Sequence, residues 1–321
     1  MVNAWFIALG LALSVAATPG TPVDLGRGVR LVSGGAYVLG AQPDGNSIVI
    51  HAPRGAIVID TGRHAAHLDA VLAEAAIGGK PLAAVINTHW HLDHVGGNPA
   101  IRRAHPGVPV YATDAIQEAL TGFLANYRHQ LEEQIAAQPD ADKQQPIRAE
   151  IALIDSGQAL APDHVVSQSG PVKIAGRRLE LHVERNAHTG GDIWIVDRAA
   201  RLVIAGDLVV LPTPFLDTSC PAHIQAALDR IATVRFDRLA PGHGPALTHI
   251  EFDRYRTAFA RLLACANSAA TPQACAAGWR GDLGSLLLEA DHKTADALID
   301  YYMGAILRGP AERTARLCGG G

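Results

Sequence analysis

The sequence predicts an α/β (α+β) fold, built as a four-layer αββα sandwich and followed by a C-terminal helical extension. Short segments rich in β-branched residues alternate with amphipathic stretches over residues 28–250. This region divides into two halves that both contain predicted strands and helices. Residues 251–308 have helical spacing without any strand signal. Because a sheet must bury an apolar face, we expect the two halves to stack their sheets and cover them with helices.

The first half alternates strands with helices. Its predicted strands lie at residues 47–53, 55–60, 82–86 and 108–113. Helical spacing over 63–77 stops at Gly78 and Gly79, and another helix is expected to begin near Asn98. The strand at 82–86 leads directly into a histidine-rich segment.

Residues 113–138 form a polar, helix-prone stretch that we interpret as one long helix. Its apolar stripe contains Leu120, Leu124, Leu131 and Ile135. Such a stripe is typical of a helix that packs on the body of a protein. A role as a lid over a site is the alternative interpretation.

The second half has strands in quick succession over residues 172–206, and a helix is predicted at 223–231. A Pro-Gly-His-Gly-Pro loop follows at 241–245. We therefore expect a sandwich domain at 28–250 and a helical C-terminal extension at 251–321.

The composition is that of a globular enzyme. The chain has 321 residues, of which 48% are hydrophobic and 18% are charged, so it is too apolar to be disordered. Its 27 basic and 31 acidic residues give a net charge of −4, and no basic run stands out. This balance argues against nucleic-acid or anionic-membrane binding, and we expect a small-molecule substrate as the partner. The oligomeric state cannot be predicted.

Residues 1–17 resemble a signal peptide. Residues 5–17 are uninterruptedly apolar or small, too short for a stable membrane span, and end in Val15-Ala16-Ala17, a suitable cleavage site. We expect a mature chain that begins near Thr18 and is periplasmic or secreted. The first four residues carry no Lys or Arg, and a frayed N-terminal helix or a misplaced start codon are the alternatives.

The four cysteines do not form a C-x-x-C pair, which argues against a cysteine zinc site. Cys265 and Cys275 flank a turn and are close in sequence, so an oxidising compartment would favour a disulfide between them. The alternative is four independent small core residues.

The segment after the strand at 82–86 carries three imidazoles and one carboxylate within six residues. They are His89, His91, Asp93 and His94. His89 and His91 are two apart and point the same way in an extended segment, while the chain turns onward at Asp93. One loop can therefore supply ligands to two metals, and these donors suit zinc, iron, cobalt or manganese.

This His-x-His-x-Asp-His pattern resembles the signature of the metallo-β-lactamase superfamily. Four further motifs match that family in order, and they are centred on Asp60, His188, Asp207 and His243. The resemblance covers about residues 28–250 and implies the family's four-layer sandwich.

The resemblance also implies a two-metal site. His89, His91 and His188 would hold the first metal. Asp93, His94 and His243 would hold the second, and Asp207 would bridge both. By the same resemblance, Asp60 would orient the metal loop, and Asp93 would be catalytic as the proton acceptor. The implied cofactor is two Zn²⁺ per chain, with Fe or Mn as alternatives.

The implied function is that of a dinuclear zinc-dependent hydrolase. It would use a metal-bound hydroxide on a small carbonyl substrate, namely a thioester, a lactone or a related ester or amide. Asp207 after Gly206 is similar to the bridging-Asp hydrolase branches rather than to the true β-lactamases. The alternatives are a β-lactamase or a non-hydrolytic di-metal redox or binding protein. The redox branch has Glu where this chain has His91.

The remaining histidines lie outside these motifs and are predicted to be polar surface residues. For His64 and His67, we expect positions on the surface or in the first turn of the helix after Asp60. Trp90 stands between two ligands, and it could line the pocket mouth or pack beneath the loop.

Overall fold

The computed structural model of the protein describes residues 21–35 and 42–319. The predicted signal peptide at 1–17 and the predicted new N-terminus at Thr18 lie outside these residues. Among the described helices, none is both long enough and apolar enough to cross a membrane.

The described residues form two sheets, and the first has seven strands arranged in chain order. The strands are β1 (Val23–Gly26), β2 (Val29–Val32), β3 (Ser47–Ala52), β4 (Gly55–Ile59), β5 (Leu82–Ile86), β6 (Val110–Ala112) and β7 (His164–Val165). Strands β1 to β4 pair antiparallel, whereas β4 to β7 pair parallel. The carboxyl ends of β4, β5 and β6 therefore lie at one edge, where sites of α/β proteins are found.

The second sheet has six strands and also follows chain order. The strands are β8 (Gly170–Ile174), β9 (Arg177–Glu184), β10 (Asp192–Asp197), β11 (Leu202–Val210), β12 (Arg238–His243) and β13 (Leu247–Thr248). Only β11 and β12 pair parallel among these strands, because a helix crosses over between them.

Helices cover the outer faces of both sheets. In the first half they are α1 (Ala65–Ala75), α2 (Leu92–Val95), α3 (Asn98–Ala104), α4 (Ile116–Thr121), α5 (Phe123–Ala137) and α6 (Ala141–Asp155). In the second half they are α7 (Pro221–Ala232), α8 (His249–Ala266), α9 (Pro272–Leu283), α10 (His292–Tyr302) and α11 (Ala311–Leu317).

Successive side chains along each strand point alternately to the two faces of the sheet, and this alternation produces the four layers. Ile57 and Ile59 of β4 point inward and pack in one cluster with Ile193 and Ile195 of β10. Val58, between them, points outward and packs against the apolar face of α1. Burial of each such side chain contributes about 1.5–3 kcal/mol. On the far side, α7 and α8 pack on the outer face of the second sheet. This arrangement confirms the predicted αββα sandwich.

The predicted long helix at 113–138 is wrong in one respect, because the chain breaks at Gly122. The residue has φ −112° and ψ −96°, outside the helical region, and it separates α4 from α5. Leu124 and Leu131 of the predicted apolar stripe are buried, so the packing role of α5 is confirmed. Helix α6 then follows and completes a helical insertion (residues 116–155) between β6 and β7.

The helical extension packs on the same core as the second sheet. A capping box formed by Thr248 and Glu251 starts α8. From α8, the Tyr255 hydroxyl accepts a hydrogen bond from the Val210 backbone at 3.2 Å. From α9, the Trp279 indole donates to the carbonyl of Pro212 at 2.9 Å. These contacts hold the extension against the end of β11 and the segment that follows it.

Two disulfides are present. Cys265–Cys275 joins α8 to α9 and confirms the predicted pair. Cys220–Cys318 joins the start of α7 to the end of α11 across a sequence separation of 98 residues. Sequence spacing could not predict this second bond, because only the fold brings its two ends together.

Candidate metal centre

Seven buried side chains converge at the carboxyl edge of the two sheets. The first half supplies His89, His91, Asp93 and His94 from the loop after β5 and from α2. The second half supplies His188, Asp207 and His243. Potential ligand atoms form two groups, each with all atoms within 4.8 Å of one another: His89, His91, His188 and Asp207 in the first group, and Asp93, His94 and His243 in the second.

In the first group, each imidazole has one inner nitrogen, which faces the other ligands, and one outer nitrogen, which faces away from them. Hydrogen bonds to the outer nitrogens orient the rings. The Nδ1 atom of His89 lies 3.0 Å from the Thr88 hydroxyl, and Nδ1 of His188 lies 3.3 Å from the Ser219 hydroxyl. His91 is reversed, with its Nε2 atom 3.0 Å from the Thr218 hydroxyl. The inner nitrogens are therefore Nε2 of His89, Nε2 of His188 and Nδ1 of His91, and the last two lie 3.2 Å apart. Fixed ring orientations of this kind are typical of metal ligands.

In the second group, the imidazoles face the Asp93 carboxylate. Its Oδ2 atom lies 3.1 Å from Nε2 of His243 and 3.6 Å from Nε2 of His94. The outer nitrogen of His94, Nδ1, lies 2.8 Å from Oδ2 of Asp60. The inner Nε2 atom of His94 is thereby directed at the other members of its group.

Asp207 lies between the two groups. Its Oδ2 atom is 3.4 Å from Nε2 of His188, and its Oδ1 atom is 3.2 Å from Nε2 of His94. The carboxylate also approaches His243, with 3.6 Å between Oδ2 and Nε2. One carboxylate therefore faces ligand atoms of both groups, which is the arrangement expected of a bridging residue.

The described residues fit a divalent metal. Three buried atoms at the centre of the site make no hydrogen bond within the described part of the chain: Nε2 of His89, Nε2 of His94 and Oδ1 of Asp207. Buried polar atoms in proteins are almost always partnered, so three such atoms in one place are what a set of metal-ligating atoms would show. Imidazole and carboxylate donors in this number suit zinc and its neighbours in the first transition series.

The electrostatics of the site agree with that fit. Burial lowers the pKa of His89 and His91 well below the ordinary value, so both rings are neutral, as a metal ligand must be. Burial alone would raise the pKa of Asp207, but the nearby imidazoles, His94 first, hold it well below its usual range. For His94, burial is outweighed by the carboxylates of Asp207, Asp60 and Asp93, which raise its pKa well above the ordinary value. The second group therefore lies in a negative field that favours a cation.

Asp60 lies behind the histidine loop, in the position that its predicted orienting role requires. Its Oδ1 atom accepts from the backbone N–H of Thr88 at 2.8 Å, and its Oδ2 atom accepts from the Thr88 hydroxyl at 2.7 Å. The same Oδ2 atom contacts His94. The backbone of Asp60 has φ 62°, a left-handed conformation that is uncommon for a residue other than glycine. The surrounding hydrogen bonds maintain this strained conformation.

The segment before β3 also supports the site, although its sequence carries no recognisable motif. The side chain of Asp44 accepts from the backbone N–H groups of Arg63 and His64, at 2.6 and 3.0 Å. The side chain of Asn46 donates to the carbonyls of Pro241 and Gly244 at 3.0 and 2.8 Å, and so holds the loop of His243. Asp-Gly-Asn is an ordinary turn composition, so only the fold reveals these contacts.

Two glycines allow the backbone to approach the ligands closely. A Cβ atom on Gly45 would overlap the imidazole of His94, and a Cβ atom on Gly242 would overlap the carboxylate of Asp207. At these two positions glycine is required by space rather than by backbone conformation.

Of the two positions expected for His67, the first turn of α1 is confirmed and the surface is wrong. His67 is buried, with 2% of its surface exposed, and its Nε2 atom lies 2.9 Å from the Ser47 hydroxyl. It faces inward because it lies on the side of α1 that packs on the first sheet. His64 is half-buried and contacts Asp44, with 2.9 Å between Nδ1 and Oδ2.

A cavity of about 480 Å³ adjoins the first group. Trp90, Phe123 and Tyr127 supply an aromatic wall, and Arg313 and Arg316 of α11 lie on its border. It reaches the site at Thr218, the hydrogen-bond partner of His91. Trp90 is 7% exposed and packs 5.4 Å from the Phe123 ring, so it both lines the cavity and packs in the core. The helical insertion and the helical extension thus meet around this cavity.

Comparison with known proteins gives a family. The family model described as the metallo-beta-lactamase superfamily matches residues 42–243. A linear primary-alkylsulfatase from Pseudomonas sp. is 29% identical over 217 residues, which is 61% of this chain and 40% of that protein. A hydroxyacylglutathione hydrolase from Thermosynechococcus vestitus is 39% identical over 83 residues, 25% of this chain and 31% of that protein. The chain therefore spans less than half the length of either relative.

A likeness among solved structures extends over more of the chain. A sec-alkylsulfatase from Pseudomonas sp. has a TM-score of 0.59 at 19% sequence identity, and the match covers 90% of this chain and 51% of that one. At this identity the likeness concerns the fold alone.

Proposed function

The chain belongs to the metallo-β-lactamase superfamily. From this premise we propose that it is a metal-dependent hydrolase, with two zinc ions, of small esters and thioesters. The single observation that carries the two-metal proposal is the pair of ligand groups joined by Asp207. A site for one metal would need no second histidine group on the far side of that carboxylate.

In this proposal, His89, His91 and His188 hold the first metal, and Asp93, His94 and His243 hold the second. Bound zinc would supply a Lewis acid that activates water and polarises a carbonyl group. Zinc is preferred over iron or manganese because five imidazoles and two carboxylates form a ligand set that suits it well. The anionic Asp207 would offset the repulsion between two cations.

The protein's own groups would orient the reaction and move its proton. The carboxylate of Asp93 is ionised, because the neighbouring His94, His243 and Arg63 outweigh the burial that would raise its pKa. We propose that Asp93 accepts the proton released when water attacks the substrate. The aromatic wall of the cavity would bind the apolar part of the substrate and keep bulk water away from the reacting bond.

Thioesters are the first substrate class to test. The hydroxyacylglutathione hydrolase relative acts, by its name, on an acylated thiol, and its 39% identity is the higher of the two. A thiolate leaves readily, so such a substrate needs less help for its leaving group than an amide does. Lactones and simple esters share the same carbonyl chemistry.

An alkyl sulfate ester is the second candidate. It is favoured by the alkylsulfatase relative, which aligns over 217 residues rather than 83. The two candidates differ in their products, since one releases a thiol and the other releases inorganic sulfate.

The test uses the purified chain loaded with zinc, with metal content measured by plasma mass spectrometry. Initial rates are measured on thioester, lactone, alkyl sulfate and cephalosporin panels, and His243→Ala serves as the inactive control. We expect two zinc equivalents and the highest kcat/KM on a thioester or ester. One metal per chain, or full activity in His243→Ala, contradicts the two-zinc proposal. Sulfate release as the fastest reaction supports the second candidate.

We also propose export to an oxidising compartment. The two disulfides support it, because such bonds are rare where thiols are kept reduced. The apolar segment at residues 5–17 supports it as well. Mass spectrometry of the chain from its native host should give an N-terminus near Thr18, and an intact Met1 on cytosolic protein would contradict the proposal.

A further inference from the structure

A chain of buried charges runs from helix α6 to Asp93. Oε1 of Glu150 on α6 lies 3.0 Å from Nη1 of Arg63, and Nη2 of Arg63 lies 3.6 Å from Oδ1 of Asp93. The three side chains are only 4%, 9% and 10% exposed. Removing three charges from water is unfavourable, so an arrangement of this kind calls for a specific reason.

Arg63 is held at both ends. Its backbone N–H donates to Oδ1 of Asp44 at 2.6 Å, and its guanidinium is anchored by Glu150. Burial would lower the pKa of Arg63, but the carboxylates of Glu150 and Asp93 raise it, so the group stays charged. Burial raises the pKa of Glu150 against the opposing effect of Arg63.

The two oxygens of Asp93 face different partners. Oδ2 faces the second ligand group, where it lies 3.1 Å from Nε2 of His243. Oδ1 faces the guanidinium of Arg63. A partial rotation of the carboxylate about its Cβ–Cγ bond would weaken both contacts together, so the position of Arg63 fixes the plane of the carboxylate toward the metal group.

We propose that the Glu150–Arg63 pair positions Asp93, so that the helical insertion controls the geometry of the second metal. This inference rests on the proposed function, because it assigns a role toward the metal that Asp93, His94 and His243 would hold. Glu150 and Arg63 are positioning residues, and neither is assigned contact with substrate.

The direction in which metal affinity changes when Arg63 is removed distinguishes a positioning role from a purely electrostatic effect. A positive charge close to a bound cation repels it, so removal of Arg63 would strengthen metal binding if charge were its only effect. If Arg63 positions Asp93, its removal releases the carboxylate and weakens metal binding. Partners of metal ligands of this kind usually change metal affinity by about 10–100-fold.

Two variants make the test. Glu150→Gln keeps an oxygen acceptor for Arg63 but removes the anchoring charge, which leaves the guanidinium free to shift. Loss of this carboxylate also weakens cation binding by charge alone, so the variant that also lacks Arg63 decides between the two explanations. The double variant Arg63→Met with Glu150→Gln removes the pair without leaving a buried unpaired charge, so it keeps the test valid if the single variant folds poorly. Asp155→Asn is the matched control, since it removes a carboxylate on the same helix that pairs with the exposed Arg128.

The measurements are zinc affinity by competition with a chromophoric chelator, the visible spectrum of the cobalt-substituted protein, and thermal unfolding of the metal-free protein. We expect both variants to bind the second metal about tenfold more weakly, with an altered cobalt spectrum, unchanged affinity for the first metal and no change in Asp155→Asn. Unchanged or stronger second-metal binding, even with lower thermal stability, overturns the inference. If the unmodified chain binds no second metal, the two-zinc proposal itself is wrong.

Discussion

Single atoms determine how tightly the candidate metal centre is packed. Gly45 lies against the imidazole of His94, and its backbone N–H donates to the carbonyl of Asp93 at 3.0 Å. The segment at 44–46 therefore packs directly against the second ligand group. A methyl group on this backbone has no room unless the His94 ring moves.

We expect Gly45→Ala to displace His94 and to weaken binding of the second metal with a matching loss of activity. The cause is steric, since the added Cβ atom would overlap the imidazole. Metal affinity and kcat should fall together, while the fold, measured by circular dichroism, stays intact. Gly278→Ala on α9 is the control, because its Cβ atom would meet nothing within 4 Å. Normal zinc content in Gly45→Ala would contradict the packing argument.

The proposed role of Asp60, which is to orient the imidazole of His94, can be tested by removing the charge of its carboxylate. We expect Asp60→Asn to weaken zinc binding by about 10–100-fold, the usual effect of removing a partner behind a metal-bound imidazole. Asparagine tolerates the left-handed backbone at this position, so the change alters the hydrogen bonds of Oδ2, to His94 and to the Thr88 hydroxyl, and not the chain path.

Zinc affinity by chelator competition measures the effect of Asp60→Asn. The exposed Asp237, which pairs with Arg201, provides the control Asp237→Asn. Equal zinc affinity in Asp60→Asn and in the unmodified chain would show that Asp60 has no orienting role.

At the residue scale, the sequence predicts the metal-ligating residues better than it predicts the residues that hold the ligand loops in place. His89 to His94 form a dense, local pattern, so their convergence could be predicted from spacing and from the family resemblance. The contacts of Asp44 and Asn46 join segments about twenty and two hundred residues apart, and short polar residues in a turn give no sign of such partners. The burial of His67 was missed for the same reason, since its hydroxyl partner, Ser47, lies on β3, twenty residues away in the sequence.

At the scale of elements, strands could be predicted well and helix breaks poorly. Continuous apolar runs, rich in β-branched residues in β3 and β4, made β3, β4 and β5 recognisable, because these strands are largely buried on both faces. The break at Gly122 was missed because the apolar stripe continues on both sides of it, so periodicity alone predicts one helix. The Cys220–Cys318 bond was missed because it depends on the tertiary path of the whole extension.

The two disulfides should act on different properties. Cys220 follows Thr218 and Ser219, which contact His91 and His188, and Cys318 ends the helix that carries Arg313 and Arg316. We expect the double variant Cys220→Ser with Cys318→Ser to have a higher KM than the unmodified chain, because α11 then loses its covalent attachment beside the cavity.

The matched control is the double variant of Cys265 and Cys275, which lies away from the cavity lining. Loop entropy predicts that the Cys265–Cys275 bond, with a sequence separation of 10, stabilises the fold by about 2.7 kcal/mol. For the Cys220–Cys318 bond, with a separation of 98, the corresponding value is about 4.7 kcal/mol. Both pairs should therefore lower the free energy of unfolding, but only the Cys220–Cys318 pair should change KM. An equal KM in both double variants would show that α11 does not shape the cavity.

At the scale of the whole molecule, the metal centre depends on both halves of the sandwich. The first half contributes the histidine loop, and the second half contributes His188, Asp207 and His243. Neither half holds a complete ligand group, since His188 completes the first and His243 completes the second. The sheets must therefore pack in register before the site exists, which couples metal binding to the fold.

The fold alone does not determine the substrate, and we expect this protein to be a poor β-lactamase. Active sites of one fold support many reactions, so the argument must come from the site. In the resemblance that the sequence shows, true β-lactamases carry a cysteine or a serine where this chain has Asp207. A carboxylate between the two groups brings a negative charge that would make the second zinc a weaker partner for the anionic nitrogen released when a β-lactam ring opens.

A thiolate or an alkoxide leaving group depends less on that zinc, so the same carboxylate should leave thioester and ester cleavage efficient. The measurement is kcat/KM for a chromogenic cephalosporin beside a panel of thioesters and lactones, with zinc in excess. Asp207→Cys serves as the matched variant, since it removes the proposed bridge, and we expect its ratio of cephalosporin to thioester activity to rise. A cephalosporin kcat/KM of about 10⁶ M⁻¹s⁻¹, within the range of efficient enzymes, with no comparable value on the other panels, would show that Asp207 does not select the substrate in this way.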